Sequence, residues 1–146
     1  MPIGRTPNLD KPDVKNIIVQ AASVGEVGGL PAGSAIALVD VSGDLKYLLC
    51  GALVATQYAN RFFGFVKDTT AVSGSPLITI GRGSTVTPVR EGSLSFTIGN
   101  ACYLSITAGQ VTQTPPVVAG SRLLKVGFAV STTQMVLVPD QQIEMA

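Results

Sequence analysis

The sequence predicts an all-β fold, a small single-domain barrel or sandwich built from two similar β units and led by an extended N-terminal arm. Three observations predict it. β-Branched residues are abundant, with 18 Val, 9 Ile and 13 Thr, and their stiffness at χ1 suits pleated surfaces. Short apolar runs alternate with turn residues about every ten positions, the rhythm of sandwich or barrel strands. The chain also repeats itself. Phe63-Gly64-Phe65-Val66-Lys67-Asp68-Thr69-Thr70 carries a Gly-Phe, a gap of three and Thr-Thr, as does Val126-Gly127-Phe128-Ala129-Val130-Ser131-Thr132-Thr133. Upstream, Gly33-Ser34-Ala35-Ile36-Ala37-Leu38 matches Gly99-Asn100-Ala101-Cys102-Tyr103-Leu104. The offsets are 66 residues for the opening piece and 63 for the closing piece, so order and spacing are both kept.

Taken in order, residues 1–13 form the arm. Pro2, Pro7 and Pro12 fix φ and remove donors, which excludes a helix or an inner strand. The arm is either a disordered terminus or a strap over a neighbouring subunit, with Ile3 and Leu9 as apolar anchors. The β domain spans 14–139. Val14 to Ala22 reads as its first strand, broken by Gly25, Gly28 and Gly29. Pro31-Ala32-Gly33 turns, and Ala35 to Val41 pairs through Ser42-Gly43-Asp44 with Leu45 to Leu49 as a hairpin. Leu45, Leu48, Leu49, Ala52 and Leu53 fall at helical spacing, but Gly51 interrupts them. The expectation there is a strand, then a loop or one or two helical turns near Ala55 to Asn60. Arg61 to Val66 is a strand whose three phenylalanines belong to the core.

Val72 to Ser75 turns and Leu77 to Ile80 continues. Gly81-Arg82-Gly83-Ser84 is a turn, Val86 to Val89 a short strand interrupted by Pro88, and Glu91-Gly92 another turn. Leu94, Phe96 and Ile98 alternate with Ser95 and Thr97, the pattern of a half-buried strand. Cys102, Leu104 and Ile106 alternate likewise. Ala108-Gly109 closes a hairpin onto Val111 to Thr114, ended by Pro115-Pro116. Leu123 to Val130 and Met135 to Val138 complete the second unit, and 140–146 is a polar tail.

Composition narrows the function. Hydrophobic residues make up 46% and charged residues 13%, against about 25% charged in ordinary soluble domains. Part of the apolar surface is therefore expected to be buried against copies of the chain or a partner; the alternative is a poorly soluble monomer. The net charge of +1 comes without any basic run, so nucleic acid and anionic membranes are not expected partners. The longest apolar run, Leu48 to Ala55, falls short of the ~20 residues of a spanning helix. The N-terminus lacks the pattern of a signal peptide, so the chain is expected to be made and kept in the cytoplasm, or to leave it by a signal-free route.

Catalytic and cofactor patterns are missing. There is no histidine, which removes the commonest general base and metal ligand. Cys50 and Cys102 have no zinc spacing and read as buried free thiols. Gly81-Arg82-Gly83-Ser84 opens no helix and is not a phosphate loop. Asp40 and Asp44 lack the further carboxylates of a calcium loop and read as turn residues. No enzyme, cofactor or metal is expected.

The second half resembles a recurrent pattern of tailed-bacteriophage structural proteins. It runs through Gly99-Asn100-Ala101-Cys102-Tyr103-Leu104-Ser105, Ala108-Gly109-Gln110-Val111-Thr112-Gln113-Thr114-Pro115-Pro116, Leu124-Lys125-Val126-Gly127-Phe128-Ala129-Val130-Ser131-Thr132-Thr133 and Val136-Leu137-Val138. The chain is similar to the capsid decoration (cement) family over residues 60 to 139. It departs from the pattern at Cys102, where a valine-like residue is usual, and in the apolar Leu45 to Leu53. The resemblance implies a β-tulip-like virion protein of the outer head surface, a homotrimer bound to the major capsid protein, without catalytic residues. Ile3, Arg5 and Leu9 are the candidate capsid or subunit contacts. The rival expectation is a head- or tail-fibre domain that binds a receptor or carbohydrate. It has only Tyr47, Tyr58 and Tyr103 for sugar stacking and no tryptophan.

Overall fold

The computed structural model describes residues 22–26, 29–67, 73 and 81–139. Among the described residues nine strands form two sheets: β1 Ala22–Val24, β2 Ala35–Val41, β3 Asp44–Leu49, β4 Phe62–Phe65, β5 Thr85–Val86, β6 Ala101–Leu104, β7 Val111–Thr112, β8 Lys125–Ala129 and β9 Met135–Leu137. The first sheet has the order β1-β3-β2-β4 and the second β5-β9-β8-β6-β7. The fold is all-β. Of the two expected architectures it is the sandwich, because among the described residues only isolated bridges, such as Leu53 with Ser121, link positions outside these two ladders. Ile3, Arg5 and Leu9, with the whole of the arm, lie outside the described residues, as do 14–21, which hold most of the expected first strand, all of 68–80 but Ser73, which hold the expected strand Leu77 to Ile80, and the tail 140–146.

Local chemistry explains the elements. Ser42 and Gly43 both have positive φ, 54° and 92°, the primed turn that joins twisted antiparallel strands. The Asp40 carboxylate accepts the Gly43 N–H at 2.9 Å. After β3 the chain makes one α turn, α1 Val54–Gln57, and a 3₁₀ turn, Ala59–Arg61, separated by Tyr58 in the left-handed region. This matches the expected short helical turns, and Gly51 shows why no long helix forms. A Cβ there would sit 2.2 Å from Gln57 Oε1, in space that the glutamine uses to accept the Leu53 N–H.

Four expected strands are shorter or absent. Residues 94–98 form no strand, and Ile98 is 63% exposed. Their bonds are scattered rather than laddered. Phe96 N–H goes to the Thr132 carbonyl, Gly99 N–H to that of Ala129, and Thr97 N–H to the Gln113 side chain. Ile106 lies beyond β6, 39% exposed. β5 ends at Val86, before the donor-less Pro88, and β7 stops at Thr112, whose Oγ1 accepts the Thr114 N–H.

The sequence repeat is a structural repeat. β2 pairs with β4 as Ala35 to Phe65, Ile36 to Gly64 and Ala37 to Phe62, with a bulge after Ile36. β6 pairs with β8 as Ala101 to Phe128, Cys102 to Gly127 and Tyr103 to Lys125, with a bulge after Cys102. Every pair is related by the same two offsets. The entry bonds repeat too: Gly33 N–H to the Val66 carbonyl at 3.0 Å, and Gly99 N–H to that of Ala129 at 2.8 Å. The hairpins agree as well, Leu38 facing Tyr47 and Leu104 facing Val111.

These units stack back to front. Ile36, Tyr47 and Val66, with Leu30, form one buried cluster on a face of the first sheet. Their equivalents Cys102, Val111, Ala129 and Phe96 all belong to the other cluster, the main core between the sheets. That core takes its remaining wall from the opposite face of the first sheet, through Ala35, Ala37 and Phe65. Each fully buried aromatic or aliphatic side chain contributes about 1.5–3 kcal/mol, so the first sheet is stabilised from both faces.

Candidate functional site

Back-to-front stacking decides which surface is left over. The equivalents of Ala35, Ala37 and Phe65 are Ala101, Tyr103 and Phe128, and they point away from the core. Phe128 sits at the centre of this outer face, with Ala101 beside it on β6 and Val136 on β9, and Thr85 continues the row onto β5. Neighbouring strands lie about 4.8 Å apart, so the row is contiguous. Phe65 is fully buried, whereas Phe128 is 37% exposed. Lys125 holds its ammonium 4.7 Å from the centre of the Phe128 ring, a cation–π contact that keeps the charge at the face. Val130 and Ile98, exposed by 47% and 63%, extend the apolar surface beyond the strand end.

Gly127 sets the spacing of β8 and β9 beneath this face. A Cβ on it would lie 2.0 Å from the Val136 carbonyl oxygen, so only glycine lets β9 approach β8 this closely. The bulge after Cys102 places Val126 on the core side and Lys125 opposite Tyr103, on the outer side.

A second feature is an open groove of about 210 Å³ lined by Glu91, Ile106, Thr112, Thr114, Pro115, Pro116, Val117 and Val118. Its rim is apolar, with Val117 92% exposed. The Glu91 carboxylate accepts the Ser105 hydroxyl and is thereby engaged within the fold.

Cys50 and Cys102 are free and buried. Burial pushes their thiols up to about 12 and about 11, the latter against a lowering hydrogen bond from Gln113, so neither is a ready thiolate at neutral pH. Among the described residues no group of three or more His, Cys, Asp or Glu side chains could hold a metal ion, and no helix is long and apolar enough to cross a membrane. Gly81-Arg82-Gly83-Ser84 is a turn clasping β9, with Gly83 N–H bonded to the Leu137 carbonyl and Leu137 N–H to that of Ser84. Of the tyrosines offered for sugar stacking, Tyr47 is wholly buried, and Tyr58 and Tyr103 are half-buried.

The sequence reading missed the outer face. The signal was present in the second Gly-Phe, but the run from Val126 to Val130 has no polar alternation to say which side faces out. Comparison with models of known protein families gives no match, and neither does comparison with curated protein sequences.

Proposed function

We propose that this chain is a structural, non-enzymatic virion protein that binds the outside of a tailed-phage head and cements its shell. The observation that carries this reading is the outer face of the second sheet. An apolar row centred on Phe128 is left partly exposed on a chain that has few charges to keep it soluble, and such patches mark interaction surfaces. The resemblance of residues 60–139 to decoration proteins supplies the class of partner, the major capsid protein, and a homotrimeric state. A trimer binds through three weak contacts, and each contact after the first is nearly intramolecular, so avidity far exceeds single-site affinity. The inert thiols and the engaged Glu91 fit a role that asks for no catalysis.

The test is co-sedimentation with expanded phage heads stripped of their own cement protein. Saturable binding, together with heads that withstand heat or chelator better than bare ones, is the expected outcome. Chain that stays in the supernatant at every concentration would sink this reading. Binding to host cells or glycans instead would favour the fibre-domain alternative.

A further inference from the structure

The groove beside β7 is an apolar surface that the described residues leave open. Ile106, Pro115, Pro116, Val117 and Val118 line it together with Glu91, and Ile106, Val117 and Val118 are exposed. Its volume of about 210 Å³ lies below the roughly 300–1,000 Å³ of small-molecule pockets. It suits one or two side chains of an extended segment rather than a metabolite. Pro115 and Pro116 offer no N–H, so such a segment is held by packing and by charge.

Glu91 supplies the charge. One carboxylate oxygen accepts the Ser105 hydroxyl, and the other takes no hydrogen bond or ion pair from the described residues. It keeps lone pairs for a cation. Charge also decides between the two ends of the chain, which both lie outside the described residues. The tail 140–146 carries Asp140 and Glu144 and no base, so Glu91 repels it. Residues 2–7 carry Arg5 as their one charge, with Ile3 two positions before it and a proline at either end. In an extended chain alternate side chains share a side, so Ile3 and Arg5 would face the same way, one apolar and one cationic. The groove presents the complement, valines and prolines beside a carboxylate. Reach favours a neighbouring copy over the same one. The stretch from Arg5 to Ala22, the first described residue, spans up to about 56 Å when extended, whereas a domain of this length is about 38 Å across.

We propose that residues 2–7 of one copy strap a neighbouring copy, with Ile3 seated among Pro115, Pro116 and Val117 and Arg5 paired with Glu91. Each copy gives one segment and receives one, a heterologous contact that closes into a ring when the rotation permits. The inference rests on the homo-oligomer in the function proposed above and is independent of the capsid.

The experiment uses the full chain without capsids and reads native mass over a dilution series. Arg5→Ala and Glu91→Gln, the second keeping an oxygen for the Ser105 hydroxyl, are each expected to raise the dissociation constant at least fivefold. The chain with both changes is expected to lie within about twofold of either single variant, a non-additivity that two independent losses of stability would not show. A second measurement pairs Ile3→Cys with Val117→Cys in one chain. Under mild oxidation an intermolecular disulfide is expected, seen on a denaturing gel as multiples of 15.0 kDa that collapse on reduction. An unchanged dissociation constant in both single variants, additive losses, no cross-link, or a disulfide formed only within single chains would overturn the proposal, the last by placing each segment in its own groove. An oligomer that cross-links yet leaves capsids bare counts against the capsid reading alone.

Discussion

Phe65 and Phe128 occupy one position in two copies of one unit, so truncating each to alanine is a controlled comparison. Phe65 is fully buried in the main core, with its ring edge-on to Phe62 at 5.7 Å between centroids. Removing it deletes the transfer free energy of the ring and leaves a cavity, about 3–5 kcal/mol in such cores. Phe128 is 37% exposed, so truncation opens no closed cavity. Roughly two-thirds of a full burial contribution is lost, together with the Lys125 contact, altogether about 1.5–3 kcal/mol. For a domain of this size each kcal/mol moves the melting temperature by roughly 2–4 °C. The Phe65→Ala chain is therefore expected to melt about 6–20 °C below the parent and Phe128→Ala about 3–12 °C below it. Urea and thermal unfolding monitored by circular dichroism, at a concentration where the chain is dispersed, reads both. Costs equal within about 0.5 kcal/mol would mean that the two faces are equally buried, and the back-to-front stacking would be refuted.

Other expectations follow from single sites. Gly127→Ala forces a methyl against the Val136 carbonyl oxygen and is expected to cost about 3 kcal/mol or more by chemical denaturation, at the upper end of overpacking effects. Cys50 and Cys102 should resist a thiol reagent at pH 8 in the folded chain and react at once in denaturant. Both folded thiols titrate above their ordinary value near 9. Their contribution to stability is therefore complete below about pH 9 and is lost as pH rises toward 11 and 12; a midpoint in urea that did not fall over that range would contradict it. Deleting residues 1–13 is expected to weaken capsid binding by a folded oligomer, measured by co-sedimentation, and unchanged binding would remove Ile3, Arg5 and Leu9 as contacts.

Much of the fold was legible because local chemistry and global pairing agree. Ser42-Gly43 sets a primed turn, and β2 and β3 follow with the bounds that the apolar pattern gives, within a residue. The repeat was visible from a handful of identities, and the bulges after Ile36 and after Cys102 fall at equivalent positions in it. What pattern alone could not give was facing. In β2, Ala35, Ile36 and Ala37 are all buried, because the first sheet is covered on both sides and alternation disappears. The same loss of alternation in Val126 to Val130 hid the outward Phe128. The opposite error arose at residues 94–98, where clean alternation predicted a strand. Bonds from Phe96 to the Thr132 carbonyl and between Thr97 and the Gln113 side chain hold that stretch without a ladder, and polarity cannot tell the two apart.

The most direct test of the account is the native mass of the dilute, purified chain by light scattering. If the outer face of the second unit is where copies meet, the mass is expected near three times the 15.0 kDa chain, persisting on dilution and falling when Phe128 is replaced by aspartate. A stable monomer of 15.0 kDa at every concentration would contradict the account, because the trimer whose three contacts supply the avidity would then not form.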